Sequence, residues 1–459
     1  MYKIDFSNPS SIYFVGIGGI SMSALAELLA DAGFQVSGSD KARSAQTSAL
    51  EAKGVTVFYG HRAENITDHI DCVIFTAAIH PDNPEYAAAH QRQIPCLTRG
   101  QLMGQIMEHY QIPIGISGTH GKTTTTSMVS EILLHAGTDP TLLVGGSLNA
   151  IGGNLRIGRS EYFVTEACEY TNSFLNFSPK IGVILNIEED HMDFFKDLAD
   201  IRSSFRKYAQ LLPDDGCLII NSQIPNLEEI TGGLRCAVVT FGPGKEADYH
   251  PAQISYDALA RPSFILQGPD GAEHTLSLQV PGEHNVHNAL AAAALGDRLN
   301  IPWDVISEAL RSYTSTHRRF EHKGAVGGVT VIDDYAHHPT EIAATLNTAG
   351  KYPHRTLWCV FQPHTYTRTK AFLKEFAKAL TLADKVVLAD IFPARETDTL
   401  GVSSELLRQE VQALGTECYY FPTFDEIENF LLENCIKDDL LITMGAGDIQ
   451  KIGESLLGN

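Results

Sequence analysis

Short runs of consecutive apolar residues alternate along the chain with stretches whose apolar positions recur at helical spacing. Parallel strands joined by helices give this pattern, because such strands are buried on both faces while each helix buries one stripe. Three blocks emerge. The first predicts strands over residues 12–15, 35–38, 55–58 and 72–76, with helices near 20–32 and 100–109. The second restarts at Ile112-Pro113-Ile114-Gly115-Ile116 and predicts strands over 162–166, 181–185 and 217–220. From about 236 to 280 apolar and polar residues alternate singly, which predicts a β-rich stretch, and helices over 285–299 and 303–312 close the block. The third predicts strands over 329–332, 356–361, 385–388 and 440–443, again separated by helices. The expected class is α/β in three domains, over 1–110, 111–316 and 317–459.

Composition narrows the partners. With 44% hydrophobic and 19% charged residues, a 459-residue chain buries more than one sizeable core. No stretch reaches the roughly eighteen apolar residues of a membrane span, and the start lacks a basic-then-apolar export leader. The net charge of −21 repels nucleic acid and anionic membrane, so neither is an expected partner. Eight cysteines lie scattered with no C-x-x-C pair, as expected of reduced thiols in the cytoplasm. A monomer or homodimer is expected.

Two glycine loops carry the chemistry. Gly16-Ile17-Gly18-Gly19-Ile20-Ser21 follows a strand and opens a helix, so its backbone N–H groups can cradle a diphosphate, and Asp40 ends the next strand where a ribose is gripped. Ser21 replaces the third glycine of the dinucleotide fingerprint, which leaves a ligand-free tight turn as the alternative. Gly118-Thr119-His120-Gly121-Lys122-Thr123-Thr124 also joins a strand to a helix. It is shorter than the strict P-loop, since Ile116 stands five residues before Gly121. Its physics survives: N–H groups turn inward, Lys122 reaches the β- and γ-phosphates, and Thr123 can ligate Mg²⁺. A polar helix cap with a chance lysine is the bland reading. An oxidoreductase needs no ATP loop, whereas a kinase or ligase acting on a nucleotide-linked substrate needs both.

These loops, together with Asn186-Ile187-Glu188-Glu189-Asp190-His191-Met192-Asp193 and Pro281-Gly282-Glu283-His284-Asn285, resemble the Mur ligases. His317-Arg318-Arg319-Phe320, the run from Asp333 to Glu341 and Gln362-Pro363-His364 resemble the member that adds L-alanine, and the likeness runs in order from about residue 11 to 450. The resemblance implies a Rossmann-like N-terminal domain for the UDP group, a central P-loop ATPase-type domain and a C-terminal Rossmann-like domain. It implies that ATP phosphorylates the lactyl carboxylate of UDP-N-acetylmuramic acid and that L-alanine attacks the acyl phosphate, in peptidoglycan precursor synthesis.

The same resemblance implies the site. ATP falls to Gly118, Thr119, His120, Gly121, Lys122, Thr123, Thr124, His284, Asn285, Asn288, Arg319 and Asp334. Magnesium falls to Thr123, Glu166 and His191; histidine is an unusual Mg²⁺ ligand, so His191 rests on the resemblance alone. L-alanine falls to Tyr335, His337 and Arg368, and the UDP-sugar to Gly18, Gly19, Ser39, Asp40, His61, Asn83 and Glu169. Lys122, Glu166, His191, Arg319 and His337 are the expected catalytic set. Read without the family, Asn285 is a helix cap, the His337-His338 pair a turn before Pro339, and Arg368 a surface salt bridge. The chain departs from the family in the segment 167–173, usually more acidic, and at Thr365, where many relatives have arginine. Arg206-Lys207 occupies the region where some members carry a carbamoylated lysine, and the sequence leaves that open. A ligase attaching a whole tripeptide to the same sugar nucleotide, a folate polyglutamylating enzyme, an NAD oxidoreductase and a non-catalytic UDP-sugar sensor are the competing readings.

Overall fold

Ser11–Val15 is buried along all but its first residue, and it nucleates a five-stranded parallel sheet. The order is Thr56–Tyr59, Gln35–Asp40, Ser11–Val15, Cys72–Phe75, Cys96–Thr98. The order reverses beside Ser11–Val15, so the first glycine loop sits at the switch point where such sheets bind ligands. The computed structural model describes residues 2–76, 79–394 and 396–458.

The second sheet has seven strands: Ala237–Phe241, Cys217–Asn221, Ile181–Ile184, Ile112–Ser117, Tyr162–Glu166, Thr141–Leu148 and Gly153–Arg156. All pair in parallel except the last, which turns back as an antiparallel edge. Ile112–Ser117 is central, with Ile181–Ile184 and Tyr162–Glu166 on its two sides. The second glycine loop therefore leaves the middle of the sheet, with Glu166 rising on one flank and the segment 185–191 on the other. Among the described residues the alternating stretch divides. Ala237–Phe241 joins the large sheet in parallel, and only His250–Tyr256, Pro262–Gln267 and Glu273–Ser277 form a separate antiparallel sheet.

The third sheet runs Glu321–Val326, Val329–Asp334, Leu440–Met444, Leu357–Phe361, Lys385–Leu388, Glu417–Tyr420, parallel except for the first strand. Entry to it is tightly held. Thr316 is 1% exposed, and its Oγ1 lies 2.9 Å from both Tyr313 OH and Ser127 Oγ. Two residues later the Arg318 guanidinium already bonds Asp333 and the carbonyls of Gly445 and Gly447, at 2.7–2.9 Å. Ser315, Arg318 and Phe320 all have positive φ, a conformation that persists in non-glycine residues only where surrounding contacts over-determine it. No helix of the described residues is long and apolar enough to cross a membrane.

Candidate active site

The helix Lys122–His135 starts at Gly121, whose φ of 83° suits glycine. A Cβ there would lie 2.5 Å from Asn288 Oδ1, so the loop can reach the helix Glu283–Arg298 only as glycine. No acidic side chain occupies the first turn of Lys122–His135, which leaves its positive end available to an anion. Asn186 shapes the loop: its Oδ1 accepts the His120 N–H at 2.7 Å and its Nδ2 donates to the His120 carbonyl at 3.1 Å. Thr119 Oγ1 accepts the Glu188 N–H at 2.9 Å.

Lys122 Nζ donates to the carbonyls of Gly118 and Thr119 and to Glu169 Oε2, the last at 3.1 Å. Burial opposes its charge, but the Glu169 carboxylate outweighs this and lifts its pKa above the ordinary lysine value. Glu169 is 2% exposed and also lies 3.7 Å from His191 Nε2. Expected at the sugar, it here balances the loop lysine. Glu166 Oε1 accepts the Gly145 N–H at 2.7 Å, and a Cβ on Gly145 would strike that carboxylate. His191 stacks on Tyr170, and burial holds its pKa below the ordinary value against the pull of Asp190 and Glu169.

Two cavities meet at this loop. One, of about 270 Å³, has apolar walls from Leu185, Phe241 and Val280 and polar ones from Asn221, Asn285 and Asn288. Thr124, His284 and Asp334 line it too. Asn285 Nδ2 bonds the Pro281 carbonyl and Asn288 Nδ2 bonds Asn285 Oδ1, so the amides are mutually oriented. Burial brings the His284 pKa down to about 4 and the Asp334 pKa up to about 6. Asp334 also accepts the N–H groups of Phe320 and Ala336, fixing the entry strand.

The other cavity, of about 580 Å³, contains the expected magnesium set Thr123, Glu166 and His191, with Lys122, Tyr335 and His337. Ile20 and Gln46 from the first domain line it as well, so all three domains contribute. His120, Gly121, Arg319 and Glu341 line both cavities and form their common wall. Arg319 lies over the Tyr335 ring at 5.2 Å, whereas its neighbour Arg318 is committed to the third domain. His337 Nδ1 is 3.0 Å from its own turn's Tyr335 carbonyl, and burial takes its pKa down to about 3, leaving a neutral imidazole.

The structure separates residues that the sequence grouped. Arg368 lines neither cavity; it faces a smaller space of about 120 Å³ with Asp190 and His191 as the shared wall. Its guanidinium holds Asp190 Oδ1 at 2.9 and 3.1 Å, a central-to-C-terminal ion pair with both side chains under 10% exposed. Burial disfavours the Asp190 charge, but Arg368 and the nearby histidines hold its carboxyl well below the usual range. Thr365 Oγ1 caps the short helix Tyr366–Ala371 that carries Arg368. Arg206 and Lys207 lie on the helix Leu198–Ala209 and line none of the three cavities.

In the first domain, Gly18 donates its N–H to Asp40 Oδ2 at 2.8 Å, and Gly19 caps the helix Ile20–Asp31. Ser39 Oγ and His61 Nδ1 lie 2.5 and 3.0 Å from Glu85 Oε2. Tyr13 OH and Asn65 Nδ2 bond its other oxygen at 2.9 and 2.6 Å, and Glu85 is wholly buried. Asn83 accepts the N–H groups of Glu85 and Tyr86 as the cap of Pro84–Gln91. Sequence reasoning gave no site role to Glu85, Asn186 and Asp190, and used Glu341 only as part of a motif. The Asn186–Asp193 run could have flagged two of them; nothing local marks Glu85.

Three family models match in chain order: Mur ligase family, catalytic domain, over 11–111; Mur ligase middle domain, over 116–296; and Mur ligase, glutamate ligase domain, over 318–447. The chain belongs to the Mur ligase family. It is 57% identical to the UDP-N-acetylmuramate--L-alanine ligase of Lachnospira eligens across the whole of both chains, and 56% to that of Agathobacter rectalis. The solved UDP-N-acetylmuramate-alanine ligase of Thermotoga maritima superposes with a TM-score of 0.82 at 31% identity, covering 98% of each chain. A murein peptide ligase from Psychrobacter arcticus shares the fold at a TM-score of 0.74 and 24% identity.

Proposed function

We propose that this chain uses ATP to join L-alanine to the lactyl carboxylate of UDP-N-acetylmuramic acid, in the cytoplasm, as a step of peptidoglycan precursor synthesis. The observation that carries the mechanism is the common wall of the two cavities. A nucleotide with its base in the smaller cavity and its phosphates on the glycine loop delivers the γ-phosphoryl into the larger one, where all three domains converge. The choice of L-alanine rests on the 57% identity over the full chain.

Lys122 exchanges Glu169 for the β- and γ-phosphates and neutralises charge as the phosphoryl moves; Arg319 does the same from the wall the two cavities share. Hydroxyl and carboxylate oxygens on Thr123 and Glu166 suit Mg²⁺, with His191 beside them, and these residues would hold it. There the ion would screen the phosphate charge. The lactyl carboxylate attacks the γ-phosphorus, ADP leaves, and the carboxyl becomes an acyl phosphate. The alanine amine then attacks the carbonyl carbon and inorganic phosphate leaves, carrying one former carboxylate oxygen. His337 lines the cavity where the amine enters, its ring oriented by Nδ1 against the Tyr335 carbonyl. With its pKa brought down to about 3 it does not keep a proton, and the amine proton passes to the departing phosphate.

Phosphate release with ATP and UDP-N-acetylmuramic acid tests this, comparing L-alanine, glycine and the tripeptide L-Ala-γ-D-Glu-meso-diaminopimelate. L-alanine is expected to lead, and glycine to fall about tenfold to a hundredfold behind because one methyl group is worth about 1–3 kcal/mol. A preference for the tripeptide overturns the substrate and spares the ligase chemistry. Isotope from a labelled lactyl carboxylate should appear in the released phosphate; label confined to the amide excludes the acyl phosphate.

A further inference from the structure

Three metal-type donors from separate segments converge beside the glycine loop, and the mechanism above uses none of them as a ligand. They are His120 of the loop, Glu188 of the segment after Ile181–Ile184, and His338 at the start of the C-terminal helix Pro339–Ala349, with ligand atoms all within 4.8 Å of one another. His120 Nε2 is 3.5 Å from Glu188 Oε2, close to the roughly 3.4 Å edge of a tetrahedral site with metal bonds of about 2.0–2.1 Å.

The histidine is set up as a ligand. Its Nδ1 lies 3.0 Å from Glu341 Oε1, the carboxylate–histidine contact that fixes an imidazole with its other nitrogen outward. That other nitrogen, Nε2, is buried without a hydrogen bond to a described residue, faces Glu188 Oε2 at 3.5 Å, and gives up its proton when a metal binds. Glu188 Oε2 is itself oriented by the Thr340 hydroxyl at 2.8 Å. The His338 ring lies 4.7 Å from that of His120, and its nitrogens contact the Glu189 carbonyl at 3.0 Å and the Thr340 N–H at 3.4 Å. Coordination needs His338 to give up one of these two contacts.

We propose that His120, Glu188 and His338 form a site for a zinc-class dication, separate from the Thr123–Glu166–His191 set. Two imidazoles and one carboxylate suit Zn²⁺ and its neighbours, whereas Mg²⁺ prefers an all-oxygen shell. A fourth position is left for water. Because Glu188 and His120 belong to the central domain and His338 to the C-terminal one, the bound ion fastens the two domains through the glycine loop.

The test is Zn²⁺ titration of the full chain against a chromophoric chelator, in excess Mg²⁺, with melting temperature recorded alongside. Wild type is expected to take up one equivalent more than Glu188→Gln or His338→Asn, and to gain melting temperature on binding where they do not. Glu188→Gln is isosteric, and His338→Asn keeps an acceptor for the Thr340 N–H; circular dichroism establishes that both are folded. Glu341→Gln, which removes only the orienting carboxylate, should weaken this site by about 10–100-fold. Cysteine binding is common to all five proteins compared, Glu166→Gln included, and cancels. Equal stoichiometry and affinity in wild type, Glu188→Gln and His338→Asn overturns the proposal, as does loss of that equivalent in Glu166→Gln instead.

Discussion

The two glycine loops begin from the same unit, a buried strand, a tight turn and a helix N-terminus, and they are completed in opposite ways. Around Gly16–Gly19 the side-chain partners come from the same domain: Gly18 donates to Asp40, while Ser39 and His61 rest on the buried Glu85. The central domain enters only at the next residue, where Asn154 donates to the Ile20 carbonyl. Around Gly118–Gly121 the partners cross domain boundaries, since His120 meets Glu341 and Glu188, and the adjacent Asp190 meets Arg368. The first loop is thus held almost wholly within its own domain. The second has its backbone shaped by Asn186 of its own domain, but its His120 side chain is held by a C-terminal carboxylate, an arrangement suited to closure completing a catalytic site.

The largest effect that tests this contrast is Lys122→Ala. Loss of a point charge on the transferred phosphoryl should cost about 3–4 kcal/mol, or hundreds-fold in kcat, with UDP-sugar affinity little changed. Rapid-quench phosphate release and direct binding of the sugar nucleotide measure the two separately. Near-normal turnover by the folded variant would break the assignment of this loop to ATP.

Glu85→Ala comes next, and it should fail differently. Tyr13, Ser39, His61 and Asn65 would all lose a charged acceptor, which should lower the stability of the first domain by about 2–4 kcal/mol. The expected signature is weaker UDP-sugar binding and an earlier melting transition, with ATP binding retained. If ATP and the sugar nucleotide weaken equally, the first loop is not self-contained.

That contrast also separates what the sequence made legible from what it did not. Both strand–loop–helix units could be read because burial on two faces forces continuous apolar runs, and glycine marks the turns. Lys122 could be placed because it opens the helix after a glycine turn, and Glu166 because it ends a neighbouring strand at the same edge. Glu85 could not: Asn-Pro-Glu reads as an ordinary helix start, where an exposed acid is the norm, and only tertiary packing buries it. Strands at or next to a sheet edge escaped as well. Glu321–Val326 is half polar, and Thr141–Leu148 is interrupted by a glycine pair, so neither shows an unbroken apolar run. The family resemblance groups Arg368 with Tyr335 and His337, but the cavity it lines is set by how two domains meet, and no local pattern encodes that.

The smallest effect is a pH dependence confined to the second loop. Burial opposes a charge on His120, but Glu341 and Glu188 outweigh it and bring its pKa up to about 9 from an ordinary 6.5. A histidine that holds its proton more tightly when folded contributes stability that is complete below 6.5 and is lost as pH rises through 9. His337 acts with the opposite sign: brought down to about 3, it adds stability above 6.5 that is lost as pH falls. Asp334, raised to about 6, and Glu341, held well below its ordinary value, also change only on the acid side. Burial also lowers the pKa of His191, His284, His287 and His338, which act with the sign of His337 up to about one unit above 6.5. Buried thiols such as Cys168, pushed up to about 11, add to the fall from about one unit below 9. His120 is therefore read as a difference in slope between wild type and variant, at most about 1.4 kcal/mol per pH unit for one proton. Denaturant melts between 6.5 and 9 should show wild-type stability falling more steeply with pH than that of His120→Gln. A variant that falls as steeply as wild type would mean the loop histidine is not held by the facing carboxylates in solution, and the second loop would be as self-contained as the first.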